Sequence, residues 1–472
     1  MERKFSIDEI GHRLELALKP AEGPVIEEVL EHVSNHGVLR GPVDWVFKAW
    51  IIYVEYATRR IAEAFQLSEE ERSQLLDFRD AMKRLLLKGW VQAKKKLHSI
   101  YEAIAKDTYR VEDGKLYIPD GTWMYALRMP IRGVSASARF PNLLKLPREK
   151  LELLQLGWAA SDEGDERGRP FMGTTQPWQV IAWTAVRYGD LRVYVASANL
   201  TREGTSVSIH IFARGWRQKW SKAEAIDLVA SHLRRGEWTP LLTMWLGDGK
   251  IRWNRIGRFE VAVAAKEPWR LGRSVGPYEA VIAKGKEAFQ RLKETAGIYG
   301  MLLDLLRAHK WAYIEETVRR KRSIDLLREA YGQNNGEIPT EEFSQPNEPG
   351  AVAVAGVVMY LNLVHGNGGS LLAEYTTRDV GKALAVAERL ESAGLRPNIV
   401  KSNANYVVYI GTKDIVKLAE RDEAVKRAVA LYLAKKAKNG TPRQREIAEK
   451  ILKRHPIFSH LPLSSKPLTK MW

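Results

Sequence analysis

The chain has 472 residues, of which 45% are hydrophobic, so it can bury a large core and we expect two or three domains. Lys and Arg number 74 against 57 Asp and Glu, and the formal net charge of +17 favours a polyanionic partner such as nucleic acid. The absence of cysteine excludes disulfides, thiolate metal sites and a cysteine nucleophile, so a bound metal must rely on oxygen or histidine ligands.

A thermophilic origin is the competing explanation of the positive charge, because surface ion pairs enrich such proteins in Lys and Arg. Fifteen Trp and no Cys fit that origin. The N-terminal segment MERKFSIDEIGHR has no apolar core, and the longest apolar run, 45–56, is shorter than the ~20 residues of a membrane span. We therefore expect a cytoplasmic protein with no signal peptide and no membrane association.

The first 106 residues are expected to form a helical domain, because apolar residues recur there at intervals of three and four. Ser68, which is followed by acidic residues, is expected to begin one of the helices. Residues 107–145 contain short alternating segments broken by Asp113–Gly114, Asp120–Gly121 and several prolines. This pattern predicts a β-rich connector.

Two later stretches share the same order of features, which indicates an internal repeat. One runs from Thr174–Thr175 through a helical segment, a hairpin that opens with Leu-Arg and a further helix, and the other begins at Thr376–Thr377 and follows the same course. The predicted boundaries are 146–236 for the first repeat, 237–437 for the second repeat with a helical insertion at 278–350, and 438–472 for a basic C-terminal tail.

An apolar helix that ends in an acid and a glycine is predicted at the start of each repeat. The segment LELLQLGWAASDEGD (151–165) leads into the first repeat, and TPLLTMWLGDGK (239–250) leads into the second. If these two helices pack side by side, Asp162 and Asp248 would converge at the end of the helix interface. Small residues one turn apart let two helix backbones approach closely, and the predicted interface residues are Gly157 with Ala160 and Thr243 with Gly247.

Structural explanations compete with each of these motifs. A Gly-Asp-Gly segment after a helix is usually only a C-cap and turn, although two such endings that each precede a similar unit favour a functional role. The Trp residues are expected to lie in the core rather than to stack on bases. The ten His residues form no spaced cluster, and neither a phosphate-binding Gly-rich loop nor a Ser-His-Asp order is present in the sequence.

On these motifs, residues 145–437 resemble the LAGLIDADG homing endonuclease family, although the first motif carries Glu163 where glycine is usual. The resemblance implies an α/β (α+β) fold with a pseudo-twofold pair of αββαββα repeats in one chain, a helical N-terminal domain and a helical insertion in the second repeat. It also implies a monomer that acts as a pseudo-dimer. The second motif matches the family at Leu242, Trp245, Gly247, Asp248 and Gly249.

The resemblance implies two activities, which are binding of double-stranded DNA and its Mg²⁺-dependent, site-specific cleavage. Hydrolysis of a phosphodiester needs carboxylates that hold hard divalent cations beside the scissile phosphate. Asp162 and Asp248 are the predicted catalytic metal ligands. A lysine that stabilises the charge developing on phosphate is also expected, and Lys250 and Lys413 are the candidates.

DNA contacts are expected from basic residues on or beside the predicted strands, which would enter the major groove. The alternative for each of them is that a surface cation only keeps a sheet soluble. The candidates are Arg192, Arg202, Arg252, Arg255, Arg258 and Lys401.

A competing hypothesis keeps the fold and drops the cleavage. In this case the protein would be a catalytically inactive DNA- or RNA-binding protein, such as a regulator, a splicing helper or a remnant of a mobile element. Glu163 and the long insertion favour it. The segment NGTPRQREIAEKILKRHP, at 439–456, is also similar to a paralogous repeat-protein family of hyperthermophilic archaea, and membership there is compatible with a decayed endonuclease.

Overall fold

The computed structural model describes residues 6–251, 259–319, 323–331, 350–365, 369–402 and 404–459. Within these residues the chain is a mixed α/β protein with fifteen α-helices and three antiparallel sheets. The chain divides into two compact units, Met1–Arg319 (unit 1) and Arg320–Trp472 (unit 2), and each unit has a hydrophobic core of its own.

Unit 1 begins with four amphipathic helices. Ser68 starts the longest of them with a capping box, because its hydroxyl accepts the N–H of Glu71 while the Glu71 carboxylate accepts the N–H of Ser68. The helices are α1 (Ile7–Leu18), α2 (Ile26–His36), α3 (Val43–Ala64) and α4 (Glu69–Ala105).

Five short strands follow the helices. Asp113 and Gly114 both have positive φ, as a two-residue hairpin turn requires, and this explains the Asp-Gly pair between the first two strands. The segment that the sequence predicted as a β-rich connector thus adds strands to the edge of a larger sheet. The strands are β1 (Arg110–Glu112), β2 (Lys115–Tyr117), β3 (Trp123–Tyr125), β4 (Arg128–Pro130) and β5 (Ser135–Phe140).

The next segment has the element order helix, strand, strand, helix, strand, strand, helix. Its strands join the earlier ones in a nine-stranded antiparallel sheet with the order β1-β2-β3-β4-β8-β9-β7-β6, in which β5 also pairs with β8. The elements are α5 (Arg148–Ala159), β6 (Glu163–Glu166), β7 (Arg169–Thr174), α6 (Pro177–Val186), β8 (Gly189–Thr201), β9 (Gly204–Ala213) and α7 (Lys222–Arg234).

The two faces of this sheet differ in chemistry. Val193 and Ile211 alternate with Tyr194 and His210, so one face is apolar and covered while the other carries aromatic and basic side chains. Helix α4 lies on the apolar face, where a Cβ atom at Gly89 would be 2.8 Å from a methyl carbon of Val195.

The N-terminal helices are also joined to the sheet through backbone hydrogen bonds. Gly41, just before α3, exchanges two hydrogen bonds with Thr205 at the start of β9, at N···O distances of 2.6 and 3.1 Å. A Cβ atom at the neighbouring Gly204 would lie 2.4 Å from the carbonyl oxygen of Gly41, so only glycine fits at this contact.

The rest of unit 1 contains a short sheet with the order β10-β12-β11. The sequence predicted a helical insertion from residue 278 onward, but 279–284 form a strand that pairs with β10. The helical spacing of apolar residues after Gly285 can be extended back across that glycine, and this spacing predicts a helix. The β-branched residues Val281 and Ile282, before that glycine, favour a strand instead. The elements are α8 (Thr239–Asp248), β10 (Glu260–Ala264), a 3-10 helix (Pro268–Arg270), β11 (Arg273–Ser274), β12 (Glu279–Lys284), α9 (Lys286–Leu305) and α10 (His309–Arg319).

Unit 2 is built on a five-stranded antiparallel sheet with the order β13-β14-β15-β17-β16. Its helices and strands are α11 (Ser323–Tyr331), β13 (Ala351–Val354), β14 (Val357–Val364), β15 (Ser370–Thr377), α12 (Val380–Ser392), β16 (Asn398–Ser402), β17 (Asn405–Gly411), α13 (Thr412–Ala419), α14 (Glu423–Asn439), α15 (Pro442–Arg454) and a 3-10 helix (Pro456–Phe458).

The same order of elements occurs in both units. The series β14-β15-α12-β16-β17-α13 matches β6-β7-α6-β8-β9-α7, and in both sheets the fourth strand of the series lies between the second and the third. The strand-to-helix turns also correspond, because the hydroxyls of Thr174 and Thr377 each accept the N–H two residues further on. The boundary between the units, at 319/320, divides the predicted second repeat, 237–437.

Among the residues that the structure describes, no helix combines the length and the apolar character needed to cross a membrane.

Candidate functional site

Helices α5 and α8 pack against each other at very close range. A Cβ atom at Gly157 would lie 2.0 Å from the carbonyl oxygen of Pro240 and 2.1 Å from Oγ1 of Thr243, so only glycine fits. Near the other end of the interface, a Cβ atom at Gly247 would lie 2.7 Å from Cβ of Ser161. The small residues therefore allow the two helix backbones to approach closely.

The four interface residues that the sequence predicted are all buried. Thr243 also donates a hydrogen bond of 2.8 Å to the carbonyl oxygen of Leu154, which ties α8 to α5. Ala160 is the C-cap residue of α5. The buried set is Gly157, Ala160, Thr243 and Gly247.

An aspartate stands at the end of each of the two helices. Asp248 is the last residue of α8, and Asp162 lies between the C-cap of α5 and strand β6. Burial raises the pKa of Asp248 to about 6, and repulsion by the Asp162 carboxylate acts in the same direction. The two carboxylates therefore share a poorly solvated region.

A buried lysine lies beside this acid pair. The ammonium group of Lys310, in α10, donates hydrogen bonds to the carbonyl oxygens of Gly247 and, at 3.5 Å, of Trp245, near the C-terminus of α8. Burial lowers the pKa of Lys310 to about 8, whereas attraction by Asp162 and Asp248 opposes that shift. The lysine therefore carries its positive charge at neutral pH next to the two acids.

A second lysine occupies the matching position at the end of α5. The ammonium group of Lys222, the first residue of α7, donates to the carbonyl oxygen of Ser161. Ser161 precedes Asp162 just as Gly247 precedes Asp248 in the other motif. Each acid thus follows a residue whose carbonyl oxygen binds a lysine.

Gln179, in the first turn of α6, fixes the orientation of Asp162. Its amide nitrogen donates a hydrogen bond of 2.8 Å to Oδ2 of Asp162, and its amide oxygen accepts a hydrogen bond of 2.5 Å from the hydroxyl of Thr174. Both Gln179 and Thr174 are buried. The carboxylate of Asp162 is therefore held by side chains from α6 and the end of β7.

Glu163, the residue at which the first motif departs from the resemblance, has a structural role. Its two carboxylate oxygens accept hydrogen bonds of 3.0 and 2.7 Å from the guanidinium group of Arg187, and Trp183 donates a third of 2.8 Å. Both charged side chains are completely buried. Because Arg187 already neutralises this carboxylate at a place that solvent does not reach, we assign Glu163 to the ion pair and not to a metal site.

The two lysines predicted for catalysis lie in different units. Lys250 is exposed and its ammonium group donates a 2.7 Å hydrogen bond to the buried carboxylate of Glu279 in β12. Lys413 is the second residue of α13 in unit 2. The structure thus gives Lys250 a carboxylate partner on the short sheet.

The open face of the nine-stranded sheet forms a groove with a volume of about 1180 Å³. Its lining extends from β2 to the turn between β6 and β7. Among the described residues that line this basic groove, one, Glu166, is acidic and six are cations. The cations are Lys115, Arg128, Arg167, Arg169, Arg192 and Arg214.

Aromatic rings form part of the floor of the basic groove, where Tyr194 meets Phe212 edge to face at a centroid distance of 5.4 Å. Phe171, next to the groove-lining residues, stacks on Phe212 at 5.3 Å. His210 lies beside Phe171, and burial, followed by the nearby charge of Arg128, lowers its pKa. At neutral pH the floor is therefore uncharged, and the positive charge of the groove comes from its arginines and lysine.

Two of the arginines predicted to bind DNA are described by the structure. Arg192 lies in the basic groove, where its guanidinium group donates to the hydroxyls of Ser135 and Ser137 and sits over the ring of Tyr194. Arg202 is exposed on the turn between β8 and β9. The other three, Arg252, Arg255 and Arg258, lie outside the described residues.

Lys401 is in unit 2, on strand β16. It alternates with Val400 and shares its side of the sheet with the buried Ile399, and its ammonium group lies over the ring of Tyr406. The side chain therefore projects from the helix-covered side of that sheet, at its edge.

Several residues of the site were missed by sequence analysis. Lys310 had a recognisable sequence signal, because it stands three residues before Tyr313 and four before Ile314, on the buried face of α10. A lysine in such a position needs a buried partner. Lys222 and Gln179 carry no comparable signal, since both occupy ordinary first-turn positions of helices.

Asp162 and Asp248 are the described residues that could contribute carboxylate oxygens, the ligands that Mg²⁺ prefers. Burial raises the pKa of Asp248, and repulsion by Asp162 adds to the shift, so a dication beside the pair would favour the ionised form. In the part of the chain that the structure describes, no group of three His, Cys, Asp or Glu side chains could hold a metal ion. Water or phosphate oxygens would complete the coordination around Asp162 and Asp248.

Comparison with protein-family models, with curated proteins and with solved structures finds no match to this chain.

Proposed function

We propose that this protein is a LAGLIDADG-type double-stranded DNA-binding protein with Mg²⁺-dependent, site-specific endonuclease activity. The observation that carries the proposal is the delivery of Asp162 and Asp248 to one poorly solvated place by two helices in contact at Gly157. Phosphodiester hydrolysis needs such a pair of carboxylates, because they hold cations that neutralise the developing charge.

A pseudo-twofold relation between α5 and α8 is part of the proposal. Both helices are apolar, both lead into an aspartate, and the carbonyl oxygen before each aspartate accepts a hydrogen bond from a lysine. The segment from α5 to α7 has the αββαββα order that the family resemblance implies. The motif helices would then be the axis of a pseudo-dimer formed within one chain.

The basic groove is proposed to hold the DNA duplex. Its lining spans seven strands, from β2 to β6, and six spacings of about 4.8 Å give a width of roughly 29 Å. At 3.4 Å per base pair this width matches roughly eight base pairs. Six cations against one carboxylate provide the charge complementarity that phosphate contacts require.

Strand β6 connects the groove to the acid pair. Its first residue, Glu163, follows Asp162 directly, and its last residue, Glu166, lines the groove. The four residue steps from Asp162 to Glu166 cover about 13 Å. A phosphate bound beside Glu166 would therefore lie on the order of that distance from Asp162.

In the reaction, Asp162 and Asp248 would hold the divalent cations, whose chemistry is to activate water and to stabilise the leaving oxygen. Gln179 keeps the Asp162 carboxylate in one orientation. Lys310 and Lys222 lower the pKa of Asp248 and so help to keep it ionised near neutral pH. The groove cations would position the phosphate backbone of the DNA.

A nicking assay on supercoiled plasmid tests the proposal. Wild-type protein with Mg²⁺ is expected to convert the plasmid to open-circular or linear forms, and EDTA is expected to stop the conversion. Asp248→Asn and Asp162→Asn should abolish cleavage and retain DNA binding, because an amide carries no charge to hold Mg²⁺. Asp77→Asn, an exposed change on α4, is the matched control. Cleavage by Asp248→Asn at the wild-type rate would refute the assignment.

A second candidate function is favoured by the aromatic floor of the groove. Unpaired bases stack on aromatic side chains, whereas duplex recognition in the major groove relies on polar groups. The exposed Tyr194, with Phe212 beside it, supports a catalytically inactive protein that binds single-stranded RNA.

Competition between a single-stranded RNA and a DNA duplex separates the two candidates. For an RNA-binding protein, Tyr194→Ala should weaken RNA binding by about 1–3 kcal/mol and Tyr194→Phe should restore it. For a duplex-binding protein, both variants should bind the duplex with nearly the wild-type affinity, and the duplex should outcompete the RNA.

A further inference from the structure

A small pocket lies outside the basic groove, between α4 and the strands β3 and β4. Its volume is about 200 Å³, and it is lined by Lys96, Arg132, Asp120 and the backbone around Thr122. Trp123 lines both this pocket and the basic groove, so the two cavities share one wall.

The cations of the pocket are held in place by the fold. The ammonium group of Lys96 donates a 3.0 Å hydrogen bond to the carbonyl oxygen of Pro130, which ties α4 to β4. The guanidinium group of Arg132 lies 5.8 Å from the ring centre of Trp123, and Lys115, from the groove, lies 5.7 Å from the same ring. A row of positive charge therefore continues from the groove into the pocket.

The charge in the pocket is only partly compensated. Burial lowers the pKa of Lys96, and repulsion by Arg132 adds to that effect, while Asp120 opposes it. Asp120 itself accepts the N–H of Thr122 at 2.8 Å. A bound anion would offset the repulsion between the two cations.

We infer that this pocket, at the ends of β3 and β4, binds one phosphate group of the nucleic acid that lies in the basic groove. This inference rests on the proposed nucleic-acid binding. A phosphate fits because Arg and Lys at one place provide several N–H donors for its oxygens. The N-terminal helices then contribute directly to the binding site through Lys96.

The test compares wild-type protein with two double variants on one hairpin duplex of about sixteen base pairs, and repeats the comparison with inorganic phosphate. Lys96→Gln/Arg132→Gln removes the pocket cations, and Arg84→Gln/Lys88→Gln removes equal charge from exposed positions of α4. Arg132→Gln alone is a second variant that leaves the Lys96–Pro130 bond intact.

Lys96→Gln/Arg132→Gln is expected to lower the affinity for the duplex about tenfold. It should also make the log–log salt dependence shallower by about 0.9, since the pocket holds one phosphate and each phosphate contact contributes about 0.9. Arg132→Gln alone should weaken binding less, because Lys96 remains to contact the phosphate. The Arg84→Gln/Lys88→Gln protein should show no such change.

Other outcomes would overturn the inference. Equal losses in the two double variants, or no loss in Lys96→Gln/Arg132→Gln, would exclude a phosphate contact in the pocket. Thermal stabilisation of wild type but not of Lys96→Gln/Arg132→Gln by inorganic phosphate, with equal duplex binding by both proteins, would assign the pocket to free phosphate. Wild-type protein that does not bind the duplex would refute the proposed function itself, and this inference with it.

Discussion

Glu163 and Arg187 form an ion pair from which water is completely excluded. Replacing Glu163 with Gln would leave the guanidinium charge buried without a counter-charge, and we expect the free energy of unfolding to fall by about 3–5 kcal/mol. Urea denaturation measures the loss. Glu163→Leu/Arg187→Met should recover most of it, because both charges are then removed.

A surface pair provides the control for this change. Arg148 and Glu152 form an ion pair on α5 in which Arg148 is largely exposed. Glu152→Gln is expected to cost under about 1 kcal/mol. A similar cost for both glutamates would mean that burial does not set the strength of the Glu163 pair.

Because α5 and α8 are in close contact, adding one methyl group between them should destabilise the fold. In Gly157→Ala the new Cβ would overlap the carbonyl oxygen of Pro240, so the helices must separate. We expect the free energy of unfolding to fall by about 1–3 kcal/mol or more. Thermal and urea unfolding measure it. Gly11→Ala in α1, where the Cβ meets no atom within 4 Å, should instead stabilise the protein by about 0.5–1 kcal/mol.

The raised pKa of Asp248 predicts that its ionisation lowers the free energy of unfolding. The folded-state pKa of about 6 lies above the ordinary value of 3.8, so ionisation disfavours the folded state progressively between these two pH values. Asp248→Asn should therefore increase the free energy of unfolding near pH 8 by at most about 3 kcal/mol, and the gain should vanish below about pH 4. Asp77→Asn should show neither effect, and a pH-independent gain would contradict the assignment.

Proton competition predicts the pH dependence of metal binding. As the pH falls below about 6, Asp248 takes up a proton and loses the charge that would hold Mg²⁺. Calorimetric titration with Mg²⁺ or Ca²⁺ should show affinity that falls about tenfold per pH unit below that point and levels off above it. Constant affinity from about pH 5 to pH 7 would place the cation elsewhere.

The groove cations predict a steep salt dependence of DNA binding. Six phosphate contacts at about 0.9 each give a log–log slope of about −5. Arg128→Gln/Arg192→Gln should make the slope shallower by about 1.8 for any sequence. Arg148→Gln, on α5, is the control, and an unchanged slope in the double variant would exclude these two arginines from phosphate contact.

Features encoded by neighbouring residues could be predicted from the sequence. The helix start at Ser68 and the turn at Asp113–Gly114 depend on residues next to them, and the position of each acid at the end of an apolar helix follows from the helix itself. The mixed α/β class follows from the alternation of such segments, which the structure confirms at that level.

Features that depend on distant pairing could not be predicted. The groove exists because β4 pairs with β8, which sets Arg128 opposite Asn199, and no local pattern specifies that register. Lys310 reaches the carbonyl oxygen of Gly247 across 63 positions of sequence. The roles assigned to Lys250 and Lys413 rested on their proximity to a motif or a hairpin in the sequence, which does not determine where a side chain points.

The backbone link between Gly41 and Thr205 bears on how the chain folds. Because α1, α3 and α4 share one core with β8 and β9, we expect that residues 1–106 do not fold independently of the sheet. Unit 1 is expected to melt in a single cooperative transition rather than to lose its N-terminal helices first. A truncated chain that begins after residue 106 would present the apolar side of the sheet to water and would be prone to aggregate.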